Sequence, residues 1–427
     1  MKHAAIAIGG ITVIFLVIFF VTPMRYVVRH GVEAEAADKK TDTKKEELEM
    51  PANGITHVQT PKHVRSLYLS SWGAGSTTLR NHVMGIIDQS DLINAVVIDI
   101  KDATGELSYV PPRADLESLK TYEKRIPDIV DFIKQLHEKG VYVIGRVSVF
   151  QDPTYAKLHP EDAYKKVSDP TATWVDRKGL AFVRVNAEPF WKYIALIADV
   201  SYHDVGFDEI NFDYIRYPSD GNIKDINYQI SEGSTRADQL VRFAEYLKNN
   251  LDPRIVRSAD IFGMTVDAED DLGIGQKFER LLPYFDYIGP MVYPSHYPPG
   301  FHNIAKPAEK PYEVISIAMG DAVKKITKMH TVVDTPAKAA SVGENGETIA
   351  ASPAVTHIDQ VAVDQDIAKL RPWVQDFDYG AQYGTAEVQA QLRAFLEHGI
   401  QSFMVWDPNN KFTPEAYITL NGLPFEM

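Results

Sequence analysis

The run FDEINFDYIRYPSDG, residues 207–221, concentrates the residue types that perform acid–base chemistry. Read as a β-strand of period two, it sets Glu209, Asn211 and Asp213 on one side and Ile210 and Phe212 on the other. With the apolar side against helices, Asn211 and Asp213 point to the inside of a closed sheet near its mouth. Arg216 follows, within reach of a carboxylate or of a substrate hydroxyl. An Asp213–Arg216 ion pair that only orders the loop is the plainer account. Against it stands the cost of a polar, inward strand end that is neither paired nor used.

Other β-rich runs end in similar residues. VVIDIKDATGELSY places Asp99 and Lys101 on one face, with Asp102 and Glu106 in the loop beyond; an Asp99–Lys101 ion pair and a role in substrate binding are both open. GRVSVF offers Arg146, RSADIFGMT offers Asp260 in phase with Ser258 and Phe262, and RPWVQDFDYG offers Gln375, Asp376 and Asp378. Aromatic residues gather at the same ends: Trp72, Tyr214, Tyr217, Tyr293, Tyr297, Tyr379, Tyr383 and Trp406. Singly, such residues are ordinary core. As a ring around a carboxylate-lined mouth, their flat faces suit the C–H surfaces of sugars while Asp, Asn and Arg reach hydroxyls. Paired carboxylates in that setting suggest glycoside hydrolysis, one protonating the leaving oxygen while the other attacks the anomeric carbon or activates water.

The elements that must position these residues follow a regular rhythm. Strands are expected at 64–70, 95–101, 141–147, 207–214, 255–262, 287–293, 371–377 and 400–406. Between them lie helical patterns such as IPDIVDFIKQLHEKG, apolar at Ile126, Ile129, Val130, Ile133 and Leu136 and closed by Gly140. Strand and helix alternating eight times is the pattern of an α/β chain folded as a (β/α)8 TIM barrel, spanning 63–427. Residues 331–360, rich in Ala, Ser, Thr, Gly and Pro, break the rhythm and read as an inserted mobile loop.

Ahead of the barrel, residues 4–24 carry no charge and reach the ~20 apolar residues that cross a bilayer as a helix. Residues 1–24 therefore read as a membrane anchor, with a cleaved secretory signal as the alternative, and 25–62 as a charged, flexible stalk. The flanking Lys2, Arg25 and Arg29 do not by themselves favour export.

Charge and composition narrow the chemistry. With 44 Lys and Arg against 58 Asp and Glu, the net charge of −14 argues against a nucleic-acid partner. No cysteine is present, which removes disulfides, thiol nucleophiles and thiolate metal sites. Phosphate-binding loop, nucleophile-elbow and zincin-helix motifs are missing, and no H-x-H pair occurs. Carboxylate catalysis requires no cofactor, and none is expected. The acidic turn 267–271, DAEDD, is either a solvated loop or a structural Ca2+ site.

From about His63 onward the chain resembles a bacterial glycosyl hydrolase family, designated a domain of unknown function, with a TIM-barrel fold. The likeness rests on YLSSWGAG, VVIDIKDATGELSY, FDEINFDYIRYPSDG, ADIFGMT, YIGPMVYPSHYPPGFHN and RPWVQDF, and FDYIRYP is its most specific segment. In related barrel glycosidases the aspartate of that segment is the catalytic carboxylate. The resemblance thus implies Asp213 as nucleophile and Asp260 as acid/base, with Asp102 and Asp376 as rivals for the second role. Trp72, Asp99, Lys101, Asp102, Arg146, Asn211, Arg216, Tyr293, Gln375, Asp376 and Trp406 are the expected substrate contacts. It also implies an exported, surface-anchored protein whose barrel faces outward and acts on a cell-envelope or extracellular polysaccharide. A barrel that binds glycans without cleaving them, and a metal-dependent hydrolase such as a polysaccharide deacetylase, are the competing expectations.

Overall fold

The computed structural model describes residues 54–335, 337, 340–342, 348–349, 351, 354–419 and 422–426. Eight short, largely buried runs form strands β1 (Arg65–Leu69), β2 (Ala95–Lys101), β3 (Tyr142–Ser148), β4 (Glu209–Asp213), β5 (Val256–Phe262), β6 (Tyr287–Met291), β7 (Trp373–Gln375) and β8 (Phe403–Trp406). They pair in parallel, each with its neighbours in sequence, and β8 returns to β1 to close a barrel. Strands of a parallel barrel are covered on both faces, which is why β2 and β3 are buried at every residue. Each strand is followed by a helix: α1 (Thr77–Gln89), α2 (Ile129–Glu138), α3 (Glu188–Val200), α4 (Arg236–Asn250), α5 (Phe278–Leu281), α6 (Pro311–Met329), α7 (Thr385–Leu396) and α8 (Glu415–Ile418). Helix α2 shows the logic: Ile129, Phe132, Ile133 and Leu136 line one buried stripe, and Gly140 ends the segment at φ +75°, where an L side chain would be strained.

The period-two reading of β4 holds. Glu209, Asn211 and Asp213 rise through the barrel interior from floor to mouth. At the floor, Arg371 donates to both oxygens of Glu209 at 2.9 and 2.7 Å, Tyr142 donates a third bond at 3.0 Å, and Arg371 lies over the Tyr287 ring. Both charges are fully buried, so each is tolerated only because the other is there.

Two expectations about the chain's organisation are corrected. The segment 331–360 is not simply a loop: Thr331–Thr335 pairs antiparallel with Val355–Ile358, and Ser341–Val342 with Thr348–Ile349. The β-branched residues at 331–333, 335, 355, 356 and 358 supply the strand preference that the small residues around them concealed. A further helix, Gln360–Ile367, capped by Asp359, then leads into β7. The packed region also begins before His63. Val58 N–H donates to Asp208 at 2.8 Å, Thr60 pairs with the Tyr142 hydroxyl at 3.1 Å, and His57 stacks on Tyr202 at 4.0 Å. The expected anchor at 1–24 and the stalk up to residue 53 lie outside the described residues. Among the described residues no helix is long and apolar enough to cross a membrane.

Candidate active site

Arg146, on β3, organises the C-terminal mouth of the barrel. Its Nη1 donates to Asp99 Oδ1 at 2.7 Å. Nε donates to Asp213 Oδ2 at 3.1 Å, with Nη2 closing a second contact on the same oxygen, and Nε also lies 3.9 Å from Asp260 Oδ2. Register creates this cluster, because Asp99 is paired with Arg146, Arg146 with Asn211, and Ser148 with Asp213 on consecutive strands. All four side chains are buried, and Asp99 accepts a further 2.5 Å bond from the Tyr68 hydroxyl.

Three buried carboxylates around one guanidinium leave negative charge in excess. Burial, and then the charge of Asp213, push the Asp260 carboxyl well above the usual carboxylate range. Its Oδ1 already accepts from Asn211 Nδ2 at 3.0 Å and Trp373 Nε1 at 2.7 Å, whereas Oδ2 has no hydrogen-bond partner. A proton on Asp260 therefore sits on Oδ2. Gly289, paired with Asp260 on β6, makes this packing possible: a Cβ there would lie 2.6 Å from Asp260 Oδ1 and 3.2 Å from Trp373 Nε1.

Above the carboxylates opens a cavity of about 220 Å³, lined by Arg146, Asp213, Tyr214, Arg216, Asp260, Phe262, Gly263, Met264, Met291, Tyr293, His296, Tyr297, Trp373 and Trp406. Its aromatic wall is fixed by mutual contact. Tyr68 stacks on Trp406 at 3.9 Å, and Trp373 meets Trp406 edge-on at 5.8 Å. Burial and the fields of Asp260 and Asp213 keep the Tyr293 hydroxyl protonated, and burial lowers the pKa of His296 and favours its neutral form. Tyr214 leaves β4 at φ +52°, in the left-handed region, while its amide donates to Asp213 Oδ1 at 2.5 Å.

Of the expected residues, Asp213, Asp260, Arg146, Arg216, Tyr293 and Trp406 come together at the cavity. Asp99 and Asn211 stand directly behind it, holding Arg146 and Asp260. Five expected contacts lie elsewhere. Lys101 is diverted by a register shift in β2 and pairs with Asp152 at 2.9 Å, fully buried, so the Asp99–Lys101 pair does not form and Lys101 does not line the cavity. Asp102 folds back on Thr104 and pairs with Arg125 at 2.6 Å. Trp72 lies on the rim, 63% exposed, with Arg125 over its ring. Gln375 bridges the backbones of Ser295 and Phe377, tying two loops together. Asp376, one residue out of phase, faces outward to Thr413 and Tyr417. Arg216 does not pair with Asp213; it donates to Tyr217 O and Ser219 Oγ, both at 3.1 Å.

Sequence reasoning passed over Tyr68, Met264, Met291, His296 and Trp373. Trp373 shares strand phase with Gln375, a signal that would have found it. As for metals, Asp267, His302 and Asp321 bring one ligand atom each within 4.8 Å of one another. Among the described residues His302 meets Asp267 at 3.4 Å and Lys324 meets Asp321 at 2.7 Å. Asp270 and Asp271 of the DAEDD turn cap the amides of Leu272 and Gly273.

A family model described as "Putative glycosyl hydrolase domain" matches residues 66–337 and 344–412. The chain belongs to this glycosyl hydrolase family. Solved structures that align at a TM-score of 0.50 or above share its fold. The PgaB (BpsB) glycoside hydrolase domain of Bordetella bronchiseptica aligns at a TM-score of 0.51 and 12% identity, over 84% of this chain and 99% of its own. An α-L-fucosidase isoenzyme of Paenibacillus thiaminolyticus aligns at 0.50 and 12%, over 84% of this chain and 48% of its own. A hypothetical protein of Ruminiclostridium thermocellum is 29% identical over 49% of this chain and 98% of its own, at a TM-score of 0.41. No curated protein matches the sequence. Family membership and the TIM barrel expected from the sequence therefore stand together, and this glycosyl hydrolase-like domain carries the cleft described above.

Proposed function

We propose that the protein hydrolyses glycosidic bonds with Asp260 as general acid and Asp213 as nucleophile or base. One observation carries this reading: two carboxylates on neighbouring strand ends receive opposite treatment. Both are buried, but Asp213 accepts hydrogen bonds from the Arg146 guanidinium, while Asp260 stands 3.9 Å from it, is raised in pKa by burial and by Asp213, and has one oxygen without a hydrogen bond. Asp260 Oδ2–H protonates the glycosidic oxygen, and Asp213 meets the positive charge that develops at the anomeric carbon. Both carboxylates approach the same Arg146 Nε, at 3.1 and 3.9 Å, which keeps their facing oxygens no more than about 7 Å apart. That bound admits the ~5–5.5 Å of a retaining pair and the lower end of the ~6.5–9.5 Å inverting range.

The substrate in this reading is a cell-envelope or extracellular polysaccharide, with a sugar ring packed on Trp406 and Tyr293. The barrel works outside the cell, held by the apolar segment at 1–24 or released after its cleavage. The test is the release of reducing ends from purified polysaccharides by wild type and Asp213→Asn. Wild-type activity lost in a folded Asp213→Asn protein is the expected result. Equal activity in both would sink the assignment, and polysaccharide binding without cleavage by either would make the barrel a binding module.

A further inference from the structure

Arg216 stands out among the charges that line the cleft. Arg146 is neutralised by Asp99 and Asp213, Asp260 is biased toward its protonated form and His296 toward its neutral one. Arg216 alone among these has no carboxylate: its Nη1 is held by Tyr217 O and Ser219 Oγ, and no carboxylate oxygen of the described residues lies within ion-pair distance. The guanidinium is half-buried against aromatic surface, 4.8 Å from the Tyr214 centroid and 6.0 Å from that of Phe182. The Tyr214 side chain, which meets the guanidinium both through its ring and by a hydrogen bond to its hydroxyl, and the two anchoring bonds on Nη1 hold the group in place, and it keeps N–H donors that no carboxylate occupies. A cation set in such a wall, in a protein of net charge −14, is uncompensated until an anion arrives.

We propose that Arg216 recognises an acidic substituent of the substrate, a carboxylate or phosphate on a sugar next to the scissile bond, so that the enzyme selects an anionic glycan. The inference rests on the hydrolase reading for its cleft but concerns recognition, not bond cleavage. A planar fork of N–H donors matches the paired oxygens of either group, and such charge-assisted bonds are about twice as strong as neutral ones. Arg216 is three residues beyond Asp213 on the same wall, which places the acidic group beside the reacting sugar.

The test uses a polyuronate, its carboxyl-reduced neutral counterpart and a phosphodiester-linked glycan polymer, with wild type, Arg216→Gln and Arg216→Lys. Wild type is expected to prefer an acidic polymer over the neutral one in kcat/KM by about tenfold or more, and to lose that preference as salt rises. Arg216→Gln should bring the ratio close to one, and Arg216→Lys, which keeps the charge without the fork, should fall between. Whether the polyuronate or the phosphate polymer shows the larger effect identifies the substituent. Binding by the Asp213→Asn protein separates the two readings. If no polymer is cleaved but the acidic one is bound and Arg216→Gln abolishes binding, recognition stands and hydrolysis fails. If all polymers are cleaved with one ratio in wild type and both variants, recognition is overturned and hydrolysis stands.

Discussion

Replacing Trp373 by Phe keeps an aromatic ring in the barrel mouth and deletes one donor, the Nε1–H that lies 2.7 Å from Asp260 Oδ1. That bond favours the ionised carboxylate and so opposes the upward push of burial. A hydrogen bond to a charged group is worth about 1.5–3 kcal/mol, and 1.36 kcal/mol corresponds to one pKa unit. Removing it should therefore raise the Asp260 pKa by about 1–2 units. A general acid must hold its proton, so kcat/KM falls as pH rises through this pKa. The alkaline limb of the profile should accordingly move up by about 1–2 pH units. The assay is kcat/KM for reducing-end release across pH, with thermal unfolding alongside to show that the variant is folded. An alkaline limb that stays put or moves down in a folded variant would remove Asp260 from the role of acid.

Arg146→Met should destabilise the barrel by about 3–5 kcal/mol in urea unfolding, because it strands buried carboxylates; adding Asp99→Asn should recover part of that loss. Asp260→Asn should abolish cleavage and change the pH dependence of stability. Because its folded pKa is raised, the protonated Asp260 stabilises the fold below the unfolded value near 4, and this contribution is lost as pH rises through the folded value. Asparagine stays neutral throughout, so between pH 4 and pH 8 the variant should lose less stability than wild type, read by urea unfolding at both pH values.

The barrel was legible because its strands are short, apolar and regularly spaced, and a parallel barrel tolerates little else between covering helices. The inward placement of Asp213, Asn211 and Asp260 was legible from strand parity, whereas roles for Asp213 and Asp260 came only from the family resemblance. Parity also explains part of what was misread: Asp376 is one residue out of phase with Gln375 and faces away from the cleft. Lys101 obeys parity in sequence but not in the fold, since a register shift after Asp99 sends it to Asp152, a partner 51 positions away that no local pattern announces. The same non-locality hid the role of Arg146. Its three carboxylates come from β2, β4 and β5, and only closure of the sheet shows that one guanidinium serves them all.

Residues 54–62 run along the N-terminal ends of the strands, and there too Glu426 meets Lys62 at 2.6 Å and His63 at 3.1 Å, while its carbonyl accepts from Arg65. The described chain thus enters and leaves at the pole opposite the cleft. This gives the protein a handle and a working face. A tag or immobilising linker joined beyond Glu426 would attach at the closed pole, so a sensor surface or affinity bead could carry the barrel upright, with its mouth turned toward a dissolved polymer.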